Sequence, residues 1–197
     1  MNHVRRSSIL ALAGALLLGA CSSQPSSTPP LEGARIGGPF TLTDQDGRKV
    51  SDRSLAGKYR LIYFGYTFCP DVCPVDMQVL GQGLRTFETD DPARAARVQP
   101  IFITVDPERD TPAVLKQFVG NFHPRFIGLT GTRAEIDAVA KRFTIYSARQ
   151  GKPGARDYLV DHSRMALLFG PKGEPIAIVP HDQGASAVAA ELERWVS

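Results

Sequence analysis

Two stretches constrain this chain more than anything else in it: "YRLIYFGY" at 59–66 and "VQPIFITVD" at 98–106. Each is a near-continuous run of β-branched and aromatic residues, the pattern of a central strand buried on both faces. Strands of that kind need helices above and below them. The 197 residues suffice for one domain with a sizeable core, or at most two small ones.

The rest of the chain supplies those helices. After the second strand, Val114, Leu115, Phe118 and Val119 recur at helical spacing behind Thr111 and Pro112, a plausible helix start. Residues 132–142 carry Ile136, Val139 and Ala140 in the same way, and a last helix from Ala185 places Val188, Leu192, Trp195 and Val196 on one side. A further helix follows the first strand, with Val75, Val79, Leu80, Leu84 and Phe87 as its apolar row. "RFIGLTG" reads as a short strand, and "RMALLFG" and "PIAIVP" flank "PKGE" as an antiparallel hairpin. At the start, "FTLTDQDGRKV" alternates around a DG turn and predicts an N-terminal β-hairpin extension. The sum is an α/β fold of thioredoxin-like order: a central mixed, mainly parallel sheet flanked by helices. No internal repeat is present.

The first core strand runs into "YTFCPDVCPVD", 66–76, which holds Cys69 and Cys73. Ligands and chemistry collect at such strand ends in open α/β sheets. A disulfide closing so short a loop removes little unfolded-state entropy, so this pair is a poor staple. Proline is tolerated in a helix's first turn, and a start at Pro74 predicts Cys73 at the N-cap with a lowered pKa from the helix dipole. Two thiols so placed can form a disulfide, or can hold a soft metal such as Cu(I).

The N-terminus reads as an export signal. Arg5 and Arg6 precede an apolar run from Ile9 to Leu18, too short for a comfortable membrane span. "LGAC" at 18–21 resembles the lipobox of bacterial lipoproteins, with Cys21 as the lipidated residue. Residues 1–20 are then a lipoprotein signal peptide, 21–35 a flexible Ser/Pro-rich tether, and 36–197 the folded domain. Lipidation of Cys21 leaves Cys69 and Cys73 as one pair in a compartment that permits disulfides. Removing Arg5 and Arg6 leaves 21 basic against 20 acidic side chains, with no basic run and nothing that suggests nucleic acid.

A third ligand would decide between disulfide and metal, so the four histidines matter. His3 is in the signal. His123 precedes Pro124 in a loop and reads as solvated or capping; His181 falls in the connection to the last helix and reads as a turn residue. His162, in "LVDHSRMALLFG", lies just before the penultimate strand, on the segment that faces the cysteine loop in a thioredoxin-like fold. A structural role and a ligand role are both open to it on spacing alone.

"GYTFCPDVCP", "ITVDPERDTP", "GLTGTRAEIDAVAKRF" and "DHSRMALLFGPKGE", in this order, resemble the Sco/SenC family over residues 36–197. The resemblance implies a thioredoxin-like copper-binding domain with Cys69, Cys73 and His162 as ligands. It also implies one copper per chain, as Cu(I) with Cu(II) allowed by the imidazole, delivered to the CuA centre of cytochrome c oxidase. The partners would be the copper-accepting oxidase subunit, a thioredoxin-like reductant that keeps the pair open, and a membrane reached through the lipid anchor. The location would be the bacterial envelope, with the domain in the periplasm or on the outer face of the cytoplasmic membrane. A structural zinc site would want a fourth protein ligand, and none stands out. Asp71 and Asp161 flank the ligands and either orient His162 or are solvated turn carboxylates; Asp106 either faces the site or caps the turn at Pro107.

The alternative function is thiol–disulfide exchange by a redox-active Cys69–Cys73 pair, on an oxidase subunit or another exported protein. A peroxidase of the peroxiredoxin type is weaker. Its threonine usually lies three residues before the nucleophile, where this chain has Tyr66, and Thr67 is only two before Cys69. A non-catalytic module with a vestigial disulfide completes the set.

Overall fold

The structure is a computed structural model that describes residues 28–152 and 157–197. The signal, Cys21 and the first part of the expected tether therefore lie outside the described residues. The folded region begins earlier than Ile36. Residues 30–33 form a turn, the Leu31 N–H donates to the Ile176 carbonyl at 2.9 Å, and the Leu31 side chain packs on the core.

A seven-stranded mixed sheet forms the centre, its strands in the order Lys49–Ser51, Thr41–Asp44, Ile127–Thr130, Val98–Thr104, Tyr59–Gly65, Ala166–Phe169 and Pro175–Val179. Its three middle strands, β3 (Tyr59–Gly65), β4 (Val98–Thr104) and β5 (Ile127–Thr130), run parallel. The expected N-terminal hairpin, β1 (Thr41–Asp44) with β2 (Lys49–Ser51), joins antiparallel through β1 and β5. The closing hairpin, β8 (Ala166–Phe169) with β9 (Pro175–Val179), joins through β3 and β8. Every residue of β3 is buried, as a strand covered on both faces must be.

The two faces of β3 feed two cores. Leu61 and Tyr63 face α1 (Val72–Asp90), α3 (Pro112–Gly120) and α5 (Ala185–Trp195), meeting Met77, Leu80, Leu84, Leu115, Val188 and Leu192. Ile62 and Phe64 face α4 (Arg133–Arg142) and meet Ile136, Val139 and Phe143. A short α2 (Pro92–Ala95) follows α1. Of the expected apolar row on α1, Val75 turns outward and is 58% exposed.

One sheet, like the short α2, has no counterpart among the expected elements. β6 (Ser147–Gln150) and β7 (Leu159–His162) form a separate two-stranded antiparallel sheet, pairing Ser147 with His162. It sets His162 at a strand end rather than in a plain loop.

Candidate metal centre

β3 ends at Gly65, and the chain then crosses a short loop into α1. This helix starts at Val72, two residues before the expected start, with Asp71 as N-cap. Pro74 still lies in the first turn, where its missing N–H costs nothing, so both starts satisfy the proline. Cys73 is consequently inside the helix, its N–H directed at Cys69 Sγ at 3.5 Å. A side chain at Gly65 would crowd the thiol, since a Cβ there would stand 3.0 Å from Cys73 Sγ.

Cys69, Cys73 and His162 come together across 89 residues of chain: Cys73 Sγ lies 3.1 Å from His162 Nε2. Among the described residues they form the one group whose ligand atoms could hold a metal ion, all within 4.8 Å of one another. Both thiols are free, and Cys69 is 9% exposed while Cys73 is fully buried.

His162 is aimed by its surroundings. Its Nδ1 lies 3.0 Å from the Ser163 carbonyl, a contact in which Nδ1–H donates and Nε2 is left to face the sulfurs. The ring stands edge-on between Tyr63 and Tyr66, with centroids 6.4 and 5.9 Å away. Burial lowers its pKa, against the Ser163 carbonyl and the Asp76 charge, so a neutral, ligating imidazole is favoured at neutral pH. The expected lowering at Cys73 does not occur. Burial pushes that thiol well above its ordinary value and the neighbouring Cys69 adds to the rise, outweighing any help from the helix start. A metal cation, by replacing the proton, would supply the charge that makes the thiolate affordable.

Among the described residues, none of the three carboxylates singled out from sequence hydrogen-bonds Cys69, Cys73 or the His162 ring, although the Asp161 charge reaches His162. Asp71 is exposed and makes no capping hydrogen bond. Asp161 is exposed and accepts from Gln150 Nε2 at 2.5 Å. Asp106 is fully buried, where Tyr158 Oη donates to it at 2.6 Å and Arg109 Nε at 2.5 Å. Arg109 is held in turn over the rings of Tyr66, Phe68 and Tyr158, so Asp106 supports the wall of the loop rather than the metal position.

The carboxylate that does stand behind the site is Asp76, which the sequence reading passed over. It is 2% exposed and accepts from Tyr63 Oη at 2.7 Å and from Arg164 Nη2 and Nε at 2.6 and 3.0 Å. His181 Nε2 lies 3.4 Å from it, an ion-pair contact without hydrogen-bond alignment. Burial alone would raise the Asp76 pKa, but these partners hold it far below the carboxylate range. His181 lies in the turn His181–Gln183 that leads to the last helix, as expected, and is also a buried member of this group. His123 is also buried, at 2% exposure, with Nε2 3.0 Å from Glu88. Asp110 ties down the loop from the other side. It accepts from Thr67 N–H and Oγ1 at 3.0 and 2.6 Å and from Thr104 Oγ1 at 2.6 Å.

Comparison with known proteins gives one family. The family model described as SCO1/SenC matches residues 28–197. The mitochondrial protein SCO1 homolog of Homo sapiens is 36% identical over 190 residues, covering 92% of this chain and 62% of that protein. The chain therefore spans less than two thirds of that relative. The structure of Bradyrhizobium japonicum ScoI with copper bound aligns with a TM-score of 0.73 at 41% identity, over 81% of this chain and 99% of the other. BsSco, described with a disulfide switch and as a member of the Sco family of cytochrome c oxidase assembly proteins, aligns at 0.61 and 27% identity, over 85% and 96%.

Proposed function

This chain belongs to the SCO1/SenC family, and from that premise we propose that it is a membrane-tethered copper chaperone that delivers copper to the CuA centre of a cytochrome c oxidase. The observation that carries the reading is the convergence of Cys69, Cys73 and His162 Nε2 on one position. Two thiolates and one imidazole suit Cu(I), and the imidazole extends the set to Cu(II). Three protein ligands leave one side of the ion open to an incoming ligand, so copper passes to an acceptor by stepwise exchange. The domain sits in the bacterial envelope, held by lipid on Cys21. A Cys69–Cys73 disulfide is the oxidised state that a thioredoxin-like reductant opens before loading.

The test is an anaerobic Cu(I) titration of the reduced protein against a competing chelator, with Cys69→Ser, Cys73→Ser and His162→Ala alongside. One copper per chain, lost in all three variants, is the expected result. Full retention in His162→Ala would remove the histidine from the site.

A second reading is favoured by the approach of the two free thiols, whose sulfurs lie within 4.8 Å of each other. They could exchange disulfides with an oxidase subunit. Such exchange needs both cysteines and tolerates loss of His162, whereas copper retention does not.

A further inference from the structure

At the end of β3 remote from the cysteines, Arg60 interrupts the apolar run and is still only 7% exposed. Among the described residues its guanidinium makes one hydrogen bond, from Nη2 to the Asp52 carbonyl at 3.0 Å, and no ion pair; Nε is shut off from solvent with no acceptor. A buried cation in this state is costly, and native proteins normally pair it. The Asp52 and Glu174 charges reach it, but neither carboxylate forms an ion pair with it, and burial outweighs them. Asp52 Oδ1 accepts from the Phe40 N–H at 3.2 Å, and Glu174 Oε2 from the Lys172 N–H at 2.9 Å.

The guanidinium lines a cavity of about 240 Å³, bounded also by Lys172, Gly38, Gly173, Asp52 and Phe169. That space corresponds to roughly eight waters at about 30 Å³ each, far more than one bridging solvent molecule would fill. Gly173 keeps this wall bare: a Cβ there would stand 2.9 Å from Arg60 Nη1.

We propose that this cavity binds a small oxyanion of the phosphate class, with Arg60 as its principal ligand and Lys172 as the second positive charge. A planar guanidinium with free N–H donors matches tetrahedral oxyanions in geometry as well as charge. The cavity lies against Gly38 and Pro39, on the segment leading back toward the expected membrane tether. The same chemistry can therefore come from free phosphate or from the phosphodiester of a lipid headgroup.

The experiment is a thermal melt of the full chain in rising inorganic phosphate, at ionic strength matched with sodium chloride. The expected result is a saturable increase in Tm, about 4 °C at a tenfold excess over Kd. Arg60→Met keeps the apolar stem and removes the unpaired charge; it should melt no lower than the wild type in chloride and lose the phosphate response. Arg60→Lys should retain a weakened response, and Asp52→Asn should saturate at lower phosphate. Flotation with phosphatidylglycerol vesicles separates the sources: Arg60-dependent binding that free phosphate releases identifies the headgroup, and its absence beside a phosphate response identifies the free ion. The inference is overturned if neither phosphate nor vesicles produce an Arg60-dependent response, or if Arg60→Met responds to phosphate as the wild type does.

Discussion

Replacing Asp76 by Asn tests whether the buried carboxylate shapes the metal centre or only supports the fold. The substitution keeps the size and one acceptor oxygen but removes the charge that receives both Arg164 contacts, at 2.6 and 3.0 Å. Breaking a buried pair by removing one partner costs about 3–5 kcal/mol when the other charge is stranded. Here the Arg164 side chain is 47% exposed and can turn back to water, so the cost falls to about 2–3 kcal/mol. The expected copper effect follows from position. Arg164 is two residues beyond His162 and next to Ser163, whose carbonyl holds the His162 ring. Releasing Arg164 frees that backbone, and losing such support around a ligand typically weakens metal binding by about 10–100-fold. Urea unfolding of the metal-free protein gives the first quantity, and anaerobic Cu(I) competition gives the second. If stability falls as expected while Cu(I) affinity stays within about twofold of wild type, Asp76 serves the fold alone and the positioning argument is wrong.

Gly83→Ala supplies the control, because a Cβ at 83 would stand 2.5 Å from Val188 Cβ between α1 and α5, far from the ligands. Urea unfolding should show a loss of about 1–3 kcal/mol from overpacking, with Cu(I) affinity unchanged; a weaker copper site would show that general destabilisation mimics the Asp76 effect. Asp110→Ala strands Thr67 N–H and the Thr104 hydroxyl and should cost about 3 kcal/mol in the same unfolding assay. The buried pair also predicts a pH dependence. Burial pushes His181 down, but Asp76 and the Val179 carbonyl outweigh it and leave its pKa above the ordinary 6.5. Its stabilisation is therefore complete below pH 6.5 and lost as pH rises through the folded pKa, while that of Asp76 is complete above 3.8 and lost in acid. Burial shifts His123 and His162 downward, with the opposite sign, so the quantity to measure is the stability of wild type minus that of His181→Gln. That difference should shrink from pH 6.5 upward, and a difference that grows instead would overturn the assignment.

The parts of this molecule that could be read from sequence are those set by local periodicity. β3 and β4 declare themselves by unbroken apolar runs, and α3, α4 and α5 by rows three and four residues apart. β6 and β7 do not, because "SARQ" and "LVDH" carry no alternation and their burial is slight. Helix α1 begins two residues before the start that Pro74 suggests, since proline is acceptable anywhere in the first turn. The Cys73 pKa departs from its expected direction for a different reason: the helix dipole is a local property, whereas desolvation depends on the whole fold around the sulfur. Asp76 left a faint trace. It lies three residues after Cys73, on the buried row that continues through Met77, Leu80 and Leu84, where a carboxylate needs a partner. That partner, Arg164, is 88 residues away, and nothing in the intervening sequence announces it.

The proposed ligands come from two parts of unequal strength. Cys73 is fixed in a nineteen-residue helix packed on the main sheet, and Cys69 lies in the short loop that leads into it. His162 ends one strand of a two-stranded sheet, a unit that has little stability of its own. The Asp76–Arg164 pair, its carboxylate buried, ties that unit to α1, with Tyr63 donating to the same carboxylate and standing edge-on to the imidazole. His162 is thereby held toward the cysteines by contacts of the protein itself. A structural zinc site works the other way, since its metal provides the folding free energy and cannot leave without unfolding the domain. A centre whose geometry is kept by an ion pair behind it can gain and lose its metal without rebuilding the fold, which is what carrying copper demands.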